Sequence, residues 1–178
     1  RAEVPTAWRV TATRGAILTA GADGLPLLIE QLRSADPDLR DLALRTARDV
    51  RDPKTTPALV AELDKLPPPQ QAALITVLVD RGDEGALRAI EARARSGAEP
   101  VRIAALKALG TIGRSSSLPI LLEAIRPPAG TAIIDTSLAS LSRIAAPDAN
   151  AQILKTLASV EPAARVRLIG VLGDRKAE

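Results

Sequence analysis

Histidine, cysteine, methionine, tyrosine and phenylalanine are all missing from the 178 residues, and Trp8 is the only aromatic side chain. Without histidine, no side chain titrates by default near neutrality for acid–base work. Without cysteine there is no thiolate nucleophile and no disulfide, although the redox compartment stays open. Metal sites built on imidazole or thiolate are excluded with them. No apolar run approaches the ~20 residues that span a bilayer; the greasiest stretch, Ala72 to Val79, is far too short. A secretory leader is missing, as are the glycine patterns that cradle dinucleotides or phosphates. The segment Gly110-Thr111-Ile112-Gly113-Arg114-Ser115 has some of the flavour of an anion loop but lacks the Gly-Lys-Ser/Thr ending, and reads as a helix end running into a serine-rich start.

Charge says little more. The formal net charge is +3. The pI of about 9.8 follows from having almost nothing that titrates between the carboxylates and the Lys/Arg groups. Residues 1–89 carry 12 basic and 13 acidic groups, and residues 90–178 carry 12 and 8, so the mild excess of base lies in the second half. The chain begins at Arg1 and holds no methionine, which reads as an excised or processed piece of a longer polypeptide.

What is abundant is order. Leu44, Ile75, Leu106, Leu138 and Ile169 recur at steps of 31 or 32 residues. Leu28, Leu59, Ile90, Leu121 and Ile153 do the same, and so do Leu32, Leu63, Ala94, Ile125 and Leu157. Three interlocked ladders of one period mark a repeat architecture. Each period holds two stretches with apolar residues on one face of a 3.6-residue helix, such as Leu118, Leu121, Leu122, Ile125 and then Val101, Ala105, Leu106, Leu109, Ile112.

Punctuation supports this. Asp23, Asp36, Thr56, Asp83, Ser117 and Asp148 sit where helices should start and cap. Pro37, Pro57, Pro100 and Pro162 suit first turns. Gly21, Gly82, Gly113 and Gly173 stand where second helices should end in a left-handed cap. The expectation is an all-α, right-handed α-solenoid: a lone helix over about 6–20, then five helix–turn–helix repeats at about 23–53, 54–82, 83–114, 115–146 and 147–175, in one repeat domain spanning 1–178. The first ladder should be buried between layers. The end helices, with Trp8, Val10, Ile17, Leu18 and with Val166, Leu168, Ile169, Val171, Leu172, lack polar outer faces. Further structure is therefore expected to abut at least one end, with self-association of the isolated piece.

Glu99-Pro100-Val101-Arg102 followed by Ala104 through Gly110 resembles the second helix of a HEAT repeat, specifically the phycobilisome-lyase HEAT-like type. Asp38-Leu39-Arg40 with Ala43-Leu44-Arg45, and Ala164-Arg165 with Ile169 through Gly173, are weaker copies. The opening, Ala7-Trp8-Arg9 through Leu28, resembles HEAT segments of large exported bacterial multidomain proteins. That second resemblance implies an exported or periplasmic setting, which nothing else in the residues decides.

The aligned second helices place Arg40, Gln71, Arg102, Ile134 and Arg165 at one repeat position, and Arg45, Thr76, Lys107, Ala139 and Gly170 at another. In such arrays an arginine of this kind commonly reaches along the stack to a neighbouring repeat, so Arg40, Arg102 and Arg165 read first as a structural ladder. The sharper reading joins them with Arg45 and Lys107 as an anion-binding stripe on the inner face. Without aromatic platforms, nucleic acid is not expected there. The acidic groups Asp36 and Asp38, or Asp80, Asp83 and Glu84, read as caps and solvated turns. Arg81-Gly82-Asp83 spells an integrin-type tripeptide but falls at a handover between repeats, where Arg ends a helix, Gly caps it and Asp starts the next. The function expected is non-enzymatic, with no cofactor: a scaffold or protein–protein recognition module, a rigid curved helical spacer serving a protein partner or neighbouring modules of its own polypeptide. A lyase- or chaperone-like role on a protein substrate is the alternative, and anion or nucleic-acid binding on the inner face comes third. Membrane insertion is not expected.

Overall fold

The computed structural model describes residues 5–175. Among them are eleven α-helices, linked by short turns and 3-10 segments, and no strand. They are α1 (Thr6–Thr19), α2 (Leu25–Leu32), α3 (Pro37–Asp49), α4 (Thr55–Glu62), α5 (Pro68–Arg81), α6 (Leu87–Ser96), α7 (Glu99–Ile112), α8 (Leu118–Glu123), α9 (Thr131–Arg143), α10 (Ala149–Thr156) and α11 (Pro162–Asp174). The chain is all-α. Its contacts gather into two compact units that divide between Ala86 and Leu87.

In the first unit the odd helices α1, α3 and α5 lie side by side, with α2 and α4 forming a second layer against them. In the second unit α7, α9 and α11 form one layer and α6, α8 and α10 the other. A hairpin with two apolar faces cannot cover both alone, and stacking on the next hairpin covers the second.

Proline starts many of these helices, because a first-turn residue has no intrahelical use for its N–H. Pro37, Pro68 and Pro162 are the first residues of α3, α5 and α11, and Pro26, Pro100 and Pro119 the second residues of α2, α7 and α8. The expected polar caps fare differently. Asp36 caps α3, accepting from the Asp38 N–H at 3.0 Å. Asp23 lies inside a 3-10 turn, Thr56 lies inside α4, and Asp148 precedes α10 without a side-chain cap bond. Ser117 and Asp148 are taken up by partners elsewhere, as described below.

The glycines also split. Gly21 and Gly82 have φ of +57° and +68°, the left-handed caps expected. Gly113 is extended, and Gly173 lies within α11. Gly113 is needed for room: a Cβ there would strike the Leu109 carbonyl and sit 2.9 Å from Ile144 Cδ1. Gly110 likewise lets α7 meet α9, since an added Cβ would lie 2.9 Å from the Ser140 Cα.

The core is aliphatic. The second ladder, Leu28, Leu59, Ile90, Leu121 and Ile153, is fully buried. Complete burial of such side chains contributes about 1.5–3 kcal/mol each. The first ladder requires a correction. Ile75, Leu106 and Leu138 are buried, but Leu44 is half-buried and Ile169 is 54 % exposed. In α3 the inward seam is taken by Ala43 and Ala47. In α11 the position that would face a following odd helix meets none among the described residues. Trp8, at 73 %, and Val166, at 70 %, are exposed as well.

Candidate functional site

Most of the acidic groups are engaged one by one; Asp80 and Asp83 line one cleft, each paired with an arginine. Asp36 accepts from Arg9 Nη2 at 3.3 Å besides capping α3. Asp80 accepts from Arg48 Nε at 2.6 Å. Asp83 takes the Thr56 hydroxyl and Arg81, and the Thr56 bond, followed by the Arg81 charge, holds its carboxyl below the usual range. Asp83 directly precedes the 3-10 turn Glu84–Ala86 that leads into α6, as the sequence reading placed it, and its side chain also closes a polar cluster. Asp148 is held low by Ser115 and then Gln152. Glu62, almost fully buried, is gripped by Arg33 at 2.6 and 2.7 Å and by Lys65 at 3.0 Å, and the Arg33 bonds lower its pKa most. Among the described residues no group of three or more His, Cys, Asp or Glu side chains could hold a metal ion.

The arginines at the shared repeat position act inside their own hairpins. Arg40 Nη1 donates to the Ser34 and Ala35 carbonyls at 2.7 and 2.8 Å, just past the end of α2. Arg102 Nε donates to Ala94 O in α6 at 3.3 Å, and Arg165 Nε to Leu157 O at 2.9 Å. Gln71 does the same to Leu66 O at 2.7 Å. Each supplies a donor to carbonyls that the preceding helix leaves unmatched at its C-terminus. Ile134 cannot, and its repeat turns through Pro127 and Pro128 instead. The acceptors thus lie in the same repeat, not along the stack. Arg45 and Lys107 are exposed and make no hydrogen bond or ion pair with described residues. Arg40 and Arg45 belong to the first unit, Arg102, Lys107 and Arg165 to the second.

Carbonyl-capping bonds that run from repeat to repeat come from Arg81, which the sequence reading took only as the end of a helix, and from Arg175, which it did not single out. Arg81 Nη1, at the end of α5, donates to Ala47 O and Val50 O at 2.5 and 2.7 Å, the C-terminus of α3. Arg175, after α11, donates to Leu141 O and Ile144 O at 2.6 and 3.0 Å, the C-terminus of α9. Their Nε atoms reach Thr56 and Asn150, one at the start of α4, the other in the first turn of α10. A cation at a helix C-terminus also suits the helix dipole. Ile112 and Ile144 stand at the corresponding positions of the two repeats between, so the pattern is discontinuous and hidden from a count of adjacent repeats. Glu91 accepts from Ser116 and Ser117 in the same inter-repeat manner.

A concave region of the second unit combines arginines with apolar surface. A cleft of about 590 Å³ in the second unit lies between the turns following α6 and α8. Arg95, Arg102 and Arg126 line it together with Glu123, over Ile120 and the Pro127-Pro128 pair. A similar cleft in the first unit, about 540 Å³, holds Arg48 paired with Asp80 and Arg81 paired with Asp83, beside Arg51 and Asp52. Of the residues singled out from sequence, only Arg102 enters the second-unit cleft. Arg95 and Arg126 were missed, although they lie one 31-residue period apart, and that spacing was the available signal.

The family profile described as HEAT repeats matches residues 56–133. With layered helical hairpins at this period, the match supports a HEAT-repeat fold. No curated protein matches the chain. In HEAT-repeat terms, α2, α4, α6, α8 and α10 are the first helices and α3, α5, α7, α9 and α11 the second. The cleft opens where the first helices of repeats three and four end. No helix among the described residues is long and apolar enough to cross a membrane.

Proposed function

We propose that this HEAT-repeat chain is a non-enzymatic recognition module that presents a rigid helical surface to a protein partner or to another segment of its own polypeptide. The observation carrying this reading is the second-unit cleft, where arginines stand beside apolar surface in a volume suited to a ligand or a short peptide. Rigidity is supplied by side chains that tie hairpin to hairpin, among them Arg33 to Glu62, Arg81 to the end of α3 and Arg175 to the end of α9. HEAT repeats serve many unrelated partners, so the partner must be sought at the site and not in the fold.

The resemblance of Glu99 through Gly110 to the phycobilisome-lyase type favours, as a second reading, a lyase- or chaperone-like role on a protein substrate. Asp36, Asp80 and Asp83, which such chemistry would use, each have their own donor, which supports the binding reading over it. A photo-crosslinking residue at position 95 of the full protein, expressed in its own cell, tests the proposal. The expected adduct is one protein partner or a defined segment of the same polypeptide, identified by mass spectrometry. Adducts with nucleic acid, or none above those formed from position 155, would refute it.

A further inference from the structure

We infer that the cleft between the third and fourth repeats binds an acidic, extended peptide segment, through carboxylates seated on Arg95, Arg102 and Arg126. This rests on the recognition reading above and names the chemistry of the partner. Three guanidiniums line one cleft and are incompletely used. Arg95 is exposed and makes no hydrogen bond or ion pair with described residues. Arg102 commits only its Nε, at 3.3 Å, to the Ala94 carbonyl. Arg126 donates through Nη2 to Ser159 at 3.2 Å, while its Nε is buried with no hydrogen-bond acceptor. The single opposing carboxylate is Glu123, whose side chain is 78 % exposed and lies 3.5 Å from that Nε. An incoming carboxylate meets more donors here than Glu123 can satisfy.

Guanidinium groups match carboxylates in a planar, two-bond geometry. The rest of the lining decides between a peptide and a small free anion. Ile120 and Ala124 are buried, and Pro127 and Pro128 form an exposed wall beside the arginines. A lone phosphate would use the charged rim and leave this surface wet. A peptide that alternates acidic and small apolar residues uses both, because an extended chain sends neighbouring side chains to opposite sides.

The test is fluorescence anisotropy on the full chain, with a labelled peptide of alternating glutamate and alanine and its glutamine–alanine counterpart. The glutamate peptide should bind and the glutamine peptide should not. Arg95→Glu should weaken binding at least tenfold while its far-UV circular dichroism stays that of the parent. Arg126→Gln should weaken it too, whereas Lys155→Glu, an exposed charge change on α10 of the same unit, should leave binding unchanged. Equal binding of both peptides would overturn the acidic assignment and leave the recognition reading standing. Loss with Lys155→Glu as large as with Arg95→Glu would overturn the site by showing diffuse charge attraction. Binding of inorganic phosphate that is lost in Arg95→Glu, with neither peptide bound, would overturn both readings and make the cleft a small-anion site.

Discussion

Arg81→Ala is the sharpest test of what joins one repeat to the next in the first unit. The Arg81 side chain is only 7 % exposed. It donates to the carbonyls of Ala47 and Val50 at 2.5 and 2.7 Å and to Thr56 and Asp83 at 3.0 and 3.2 Å. A hydrogen bond from a charged donor contributes about 1.5–3 kcal/mol net. The Asp83 part is discounted to about 0–1 kcal/mol, because that carboxylate is 44 % exposed and keeps the Thr56 hydroxyl. The two carbonyls at the end of α3 lose their donor, and water entering the vacated space recovers part of the loss. Arg81→Ala should therefore cost about 3–4 kcal/mol. Arg48→Ala is the internal comparison. It removes another second-helix arginine whose ion pair with Asp80 is exposed, 36 % and 45 % on the two sides, and should cost about 1 kcal/mol or less. Urea melts followed by circular dichroism give both numbers, provided the slope of the transition is unchanged. Arg175→Ala should reproduce the larger value in the second unit. If Arg81→Ala and Arg48→Ala fall within about 1 kcal/mol of each other, the arginine is not what joins the ends of α3 and α5.

Gly110→Ala should lower stability by roughly 1–2 kcal/mol, since the clash with the Ser140 backbone outweighs the ~1 kcal/mol gain in helix propensity; a stabilised variant would show that α7 and α9 can move apart freely. Ser140→Ala should be neutral or stabilising by up to about 1 kcal/mol, because its buried hydroxyl has no hydrogen-bond partner. Leu106→Ala should cost about 2–5 kcal/mol, while Ile169→Ala, at a 54 % exposed site, should cost well under half of that. The Glu62 carboxyl is depressed by Arg33, so its contribution is fully present above about pH 5, beyond the unfolded value of ~4.3, and is lost as pH falls through the lower folded value. Glu62→Gln should accordingly flatten the acid side of the stability–pH curve measured by urea melts, and an acid limb as steep as the parent's would refute the assignment.

Much of the architecture was legible in the residues because repeat proteins write each structural unit several times. Leu28, Leu59, Ile90, Leu121 and Ile153 share one period and one fate, complete burial. Helix starts at Pro37, Pro100 and Pro162 followed from local chemistry, as did the left-handed caps at Gly21 and Gly82; the start of α5 at Pro68 did not. These are properties of short segments, set by backbone sterics and by which side of a helix is apolar.

Other outcomes could be decided only by what each segment meets in the folded chain. Periodicity treats Ile75 and Ile169 alike, yet one is buried and the other 54 % exposed, because what each side chain meets in the packed chain is not written in the period. Gly113 looked like a cap and is instead a point of close approach to Ile144. Arg40, Arg102 and Arg165 shared a column, but a guanidinium bonds whatever carbonyl lies within reach, and the nearest unmatched ones were in the same hairpin. Arg81 and Arg175 skip two repeats, and only the packed second helices bring them to the carbonyls they complete. Arg95 and Arg126 stand a period apart in the sequence; that they share a cleft with Arg102 is a consequence of stacking, since hairpins laid side by side bring equivalent turns together in space.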